Sequence, residues 1–176
     1  MIAWIFSVSV SKVFVGVLGI LFIGLLTLSN KPAFSEKPSF LSVSIGAFDI
    51  NDDKKAYEFR GEYRPNIKIW KFGPIIGLSG TGDKGIYGFA GLGMDLYFGR
   101  RMVLTPSAAL VGYHKGDGKS LGGEFQFRTG GELAWRFDNW SRVGVGFHHI
   151  SNAGIYNSNP GTEILALTYS LPLRKK

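Results

Sequence analysis

From residue 39 onward the chain alternates apolar and polar residues with period two, a pattern that predicts strands rather than helices. Tyr57, Phe59, Gly61 and Tyr63 alternate with Glu58, Arg60 and Glu62. Phe125, Phe127, Leu133, Trp135 and Phe137 alternate with Glu124, Gln126, Arg128, Glu132 and Arg136. A third stretch sets Ile86, Ala90, Leu92, Met94, Leu96 and Phe98 against a face that includes Asp95. Eight strands are expected, at 39–49, 54–64, 68–79, 86–98, 102–113, 121–137, 141–151 and 162–172. Short connections fall at Arg64–Ile67, Phe98–Arg101 and Asp138–Trp140. Longer polar or glycine-rich ones fall at Asp49–Asp53, Gly80–Gly85, His114–Ser120 and Ala153–Gly161. Short turns at one end and longer loops at the other are the layout of an outer-membrane barrel.

The two faces define the kind of barrel. A soluble lipid carrier has an apolar interior, whereas here one face is charged and the other aromatic. Eight strands leave an interior just wide enough for side chains, so the charged face can pair inside as Glu–Arg networks while the aromatic face meets lipid. A closed barrel also bonds every backbone group internally, as a bilayer demands. The expected fold is therefore all-β, an eight-stranded antiparallel transmembrane β-barrel of the outer membrane. An even strand count starting in the periplasm returns both ends of the barrel there.

Residues 1–35 stand apart. Val13–Leu28 is uncharged and follows Lys12, and Ala33-Phe34-Ser35 offers small residues for cleavage near Ser35/Glu36. This reads as a signal peptide; the rival is a retained transmembrane helix, for which the apolar core is short. Residues 36–176 then form a single barrel domain. Losing Lys12 and Lys31 leaves 18 Lys+Arg against 13 Asp+Glu, a net charge of +5. That surface favours anionic partners, but no nucleic-acid motif is present and the leader argues against such a partner. With no cysteine, a disulfide framework is excluded.

The candidate chemistry lies in the last hairpin, in His149-Ile150-Ser151-Asn152 and Glu163. Residues two apart on a strand share a face. His149 and Ser151 therefore lie with Val143, Val145 and Phe147, and Glu163 lies with Leu165, Leu167, Tyr169 and Leu171. Base, hydroxyl and carboxylate are the components of a hydrolytic triad, here at the edge of a lipid-like surface. Ser151 would be the nucleophile, His149 its base and Glu163 the group that orients His149. The bland roles are a turn-starting serine, an interfacial histidine and a rim charge. Two registers keep the faces, one with His149 directly opposite Glu163 and one, slipped by two residues, with Ser151 there. Asn152 has two readings, an oxyanion donor (by its amide or a nearby backbone N–H) or a turn cap.

By parity His148 points into the barrel, and His114 lies in a loop. Lys54, Lys55, Lys84, Lys115 and Lys119 in the loops have two readings, phosphate ligands or solubilising tips. No cluster has metal-ligand spacing, and no cofactor or metal is implied.

His149-Ile150-Ser151-Asn152-Ala153, followed by Asn159-Pro160-Gly161-Thr162-Glu163, resembles the signature of the lipid A 3-O-deacylase family, and Phe125-Gln126-Phe127-Arg128 is similar to that family's sixth strand. The resemblance implies a Gram-negative outer-membrane serine esterase with its site at the outer leaflet. Lipid A, within lipopolysaccharide, would lose its 3-position acyl chain as a 3-hydroxy fatty acid through Ser151, His149 and Glu163. A lipid-facing site leaves room for a covering partner, such as a homodimer. The rivals are a non-enzymatic small barrel for adhesion or envelope stability, and an acyltransferase. The chain lacks the terminal aromatic common in such barrels and ends Leu171-Pro172-Leu173-Arg174-Lys175-Lys176.

Overall fold

The computed structural model describes residues 33–34, 38–52 and 55–173. Eight strands form the wall: β1 Ser39–Phe48, β2 Ala56–Arg64, β3 Gly73–Thr81, β4 in two segments Ile86–Gly93 and Leu96–Phe98, β5 Met102–His114, β6 Phe125–Arg136, β7 Arg142–Ser151 and β8 Thr162–Leu173. Each pairs antiparallel with its sequence neighbour. The barrel closes where β8 returns to β1, from Ile164 opposite Phe48 to Leu173 opposite Ser39. The leader read at residues 1–35 lies outside the described residues, apart from Ala33–Phe34, which pair with Ile67–Lys68.

The alternating pattern becomes two chemically distinct surfaces. Val43, Ile45, Phe59, Leu133, Val145 and Leu167 are among the exposed outward residues. Ser42, Glu58, Arg60, Glu62, Arg128 and Thr168 are buried inside. Along the closing seam, Ser42 bonds Ser170 at 2.8 Å and Ser44 bonds Thr168 at 2.9 Å, both between side-chain hydroxyls. Buried charges are costly unless paired, and the lumen pairs them. Arg142 meets Asp95 at 2.9 Å, Arg60 meets Glu58 at 3.3 Å, and Arg64 bridges Glu62 and Glu132. The hydroxyls of Ser79 and Tyr87 both donate to Glu58.

The lumen is not polar throughout. Towards the loops Phe48, Tyr87, Val111, Leu121, Ile150 and Ile164 form a buried apolar cluster, with Phe48 and Tyr113 stacked at 6.2 Å. Burial contributes about 1.5–3 kcal/mol for each large apolar side chain, so this plug braces the end that carries His149, Ser151 and Glu163.

The structure corrects three expected boundaries. Strand three begins at Gly73 rather than residue 68, because Trp70 adopts φ +59° and an Ile69–Phe72 bridge closes a tight reversal. Strand six begins at Phe125 rather than 121, since Gly122 at φ +87° ends the extended run. The β3–β4 connection is also tighter than expected, with pairing as far as Gly80 opposite Ile86.

Candidate active site

The last hairpin brings two of the three proposed groups into direct contact. β7 and β8 pair so that His149 stands opposite Glu163, and His149 Nδ1 lies 3.0 Å from Glu163 Oε1. Of the two registers left open by the sequence, this is the one adopted. A carboxylate can only accept, so Nδ1–H donates and the Nε2 lone pair is left available. The side chains of His149 and Glu163 are 42% and 26% exposed, on the same face as Val145, Phe147 and Leu165. Ser151 follows two residues after His149, half-buried at the end of β7. Its hydroxyl has no hydrogen-bond partner among the described residues.

Gly161 supports the pair from the loop. Its φ is +66°, and a Cβ there would come within 2.9 Å of His149 Cε1. Glycine alone combines that backbone with that approach. This approach of Gly161 to the imidazole arises only once the loop folds back.

Asn152 is fully buried. Its Nδ2 donates to the carbonyls of Leu121 and Ser158, both at 2.8 Å, and its Oδ1 accepts from the Gly154 N–H at 2.9 Å. Its own backbone N–H donates to Asn159 Oδ1 at 3.0 Å. Of the two roles read for Asn152, its side chain fills the turn-tying one. No hydrogen bond takes the Ala153 N–H among the described residues.

A network unseen in the sequence backs Glu163. Asp49 is buried at φ +61°; its Oδ1 accepts from Lys119 Nζ at 2.6 Å and from the Thr162 hydroxyl at 3.1 Å. The N–H of Ile50 donates to the carbonyl of Glu163. Lys119 also bonds Asp52 and is thus an internal clamp between loops. Burial alone would lower its pKa, but the hydrogen bonds to Asp49 and Asp52 outweigh this and raise it above 10.5. Lys84 pairs with Asp117 at 2.7 Å. Lys115 and Lys55 are exposed and Lys54 lies outside the described residues. His114 is exposed, and His148 is buried in the lumen as its parity required. Among the described residues no group of acidic residues, histidines or cysteines could hold a metal.

Residues 56–172 match the profile of the family described as Lipid A 3-O-deacylase (PagL). The chain belongs to the lipid A 3-O-deacylase family. Over 52 residues it is 40% identical to lipid A deacylase PagL of Bordetella bronchiseptica, a stretch spanning 30% of this chain and only 29% of that relative. The crystal structure of the outer membrane enzyme PagL superposes with a TM-score of 0.61 at 19% identity, covering 76% of this chain and 99% of that one. Neisserial surface protein A superposes with a TM-score of 0.56 at 9% identity, over 82% of this chain and all of that one. These superpositions establish the fold, an eight-stranded outer-membrane barrel.

Proposed function

We propose that this member of the family is a serine esterase that hydrolyses the 3-position acyl ester of lipid A and releases a 3-hydroxy fatty acid. The observation that carries this reading is the directly opposed His149–Glu163 pair on the lipid face, with Ser151 two residues beyond. Ser151 Oγ attacks the acyl carbonyl while His149 Nε2 takes its proton. Glu163 holds the imidazole in the Nδ1–H tautomer and stabilises the imidazolium. Collapse of the tetrahedral intermediate expels the lipid A alcohol, which receives the proton from His149. Water, activated by the same imidazole, then cleaves the acyl-enzyme and frees Ser151.

The oxyanion needs donors placed where charge develops, each worth roughly 10²–10³ in rate. With the Asn152 side chain engaged in the loop, the Ala153 N–H is the better candidate there. The acyl chain lies along the outward face of β7 and β8, beside Phe147, Val145 and Leu165. The hydrolysed ester then stays in its leaflet. An even strand count and a periplasmic start orient this end to the outer leaflet, where lipopolysaccharide resides.

Mass spectrometry of lipid A from cells with and without the protein tests the reading. Loss of one acyl chain, absent with Ser151→Ala, is the expected result. Gain of a chain would mean a transferase, and unchanged lipid A a structural barrel.

A further inference from the structure

The end of the barrel opposite His149 has its own chemistry, which the esterase reading does not use. Its turns and strand ends present Lys68, Lys71, Arg100, Arg101 and Arg136; among the described residues Asp138 is the exposed carboxylate there, while Asp95 is turned inward to Arg142. Arg101 pairs with Asp138 at 2.8 Å, and among the described residues no carboxylate forms an ion pair with Lys68, Lys71, Arg100 or Arg136. At the loop end, by contrast, Lys84 and Lys119 are both held by aspartates.

Aromatic rings stand among these cations. Trp70 is 69% exposed, with Lys71 Nζ 5.3 Å from its ring centre. The Arg136 guanidinium lies 4.5 Å over Trp140. Phe98, Trp135 and Phe137 are exposed at the same level. Tryptophan rings settle at the headgroup depth of a bilayer, and basic groups at that depth attract anionic lipid. A ring in the interface with a cation beside it matches a phosphate next to the acyl–glycerol boundary.

We propose that this rim is a binding surface for the headgroups of anionic phospholipids of the phosphatidylglycerol type. The charge excess supplies the complementarity, and the aromatic belt fixes its depth. That the rim lies in the leaflet away from lipopolysaccharide rests on the orientation proposed above; the headgroup preference itself does not.

The test uses the full chain carrying Trp4→Phe, reconstituted in phosphatidylcholine vesicles. Its fluorescence then comes from Trp70, Trp135 and Trp140, which all lie at this rim. Brominated phosphatidylglycerol and brominated phosphatidylcholine are compared as quenchers at equal mole fraction. The expected result at low salt is an association preference of about threefold or more for the anionic lipid. It should fall to about one in molar salt, where screening acts within about 3 Å. It should also vanish with Lys68→Gln, Lys71→Gln and Arg100→Gln combined, while deacylation of lipid A in detergent stays at the parent level. Equal quenching by both lipids in the parent barrel, or a preference that survives the triple substitution, would overturn the proposal. The parent measurement decides this even if the triple variant fails to fold. Absence of deacylase activity from the parent barrel, with its lipid preference present, would count against the esterase reading alone.

Discussion

His148 and His149 are neighbours in the chain and occupy opposite worlds. His149 faces lipid, 42% exposed at its side chain, with Glu163 accepting at Nδ1. His148 is 3% exposed in the lumen. Its Nδ1 is buried without a partner, and the guanidinium groups of Arg128, Arg60 and Arg64 supply its electrostatic surroundings. Gly130 at φ +153° makes room for it, since a Cβ there would lie 2.7 Å from His148 Nδ1. One residue step on a strand thus separates an outward imidazole paired with a carboxylate from one packed among fixed positive charges. A reactive histidine needs an acceptor on one nitrogen and an approach to the other, and only the outward position provides both.

The comparison can be broken most sharply at the proposed nucleophile and base. Ser151→Ala and His149→Ala should each lower kcat by about 10⁴-fold or more, with heat-modifiable gel migration unchanged. If His148→Ala were equally inactive in a folded barrel, the assignment of the two faces to their roles would fail. Glu163→Gln should be less severe, by roughly one to two orders of magnitude in kcat, because base and nucleophile survive while imidazole orientation suffers. A kcat equal to that of His149→Ala would show that Glu163 does more than orient.

Gly161→Ala forces a side chain into a left-handed conformation and against the His149 ring. Strain of roughly 1–3 kcal/mol should reduce activity by about 10–100-fold in a single-turnover assay, while far-ultraviolet circular dichroism keeps its β signal. His148→Ala should leave kcat within about threefold of the parent, because its ring touches no reacting atom.

The smallest activity effect belongs to the loop lysines. Lys119→Ala should lower the urea midpoint more than it raises KM, since its ammonium is held by Asp49 and Asp52; Lys115→Ala should leave the midpoint unmoved. Because the Lys119 pKa is raised in the fold, its stabilisation is full below the ordinary lysine value and fades only as pH climbs through the raised one. Lys119→Ala and the parent should therefore converge in stability at strongly alkaline pH. A change confined to KM on phosphorylated lipid A would restore phosphate binding as its role.

Much of this was legible in the chain, for physical reasons that can be named. Strand alternation assigns faces by parity alone, so the inward Glu58, Arg60, Glu62 and His148 and the outward Phe59, Phe147 and His149 follow from counting. Where the backbone leaves the extended region, the count fails. Trp70 carries an apolar, strand-like neighbourhood yet turns at φ +59°, and Leu121 looks like the start of a strand but is buried in the plug. The lysines illustrate a different limit: Lys115 and Lys119 are alike in sequence, but only Lys119 meets carboxylates from a loop some seventy residues away.

The sequence by itself determined the barrel, its two faces and the residues that stand together on the lipid side near the loops, because a period of two is a local property of each strand. Tertiary structure alone decided the β7–β8 register that sets His149 against Glu163, the engagement of Asn152 in the loop and the Asp49–Lys119–Thr162 clamp. The register depends on how the loop between β7 and β8 closes, and the other two on contacts between segments far apart in the chain. Their energies arise only when the wall closes and those segments meet.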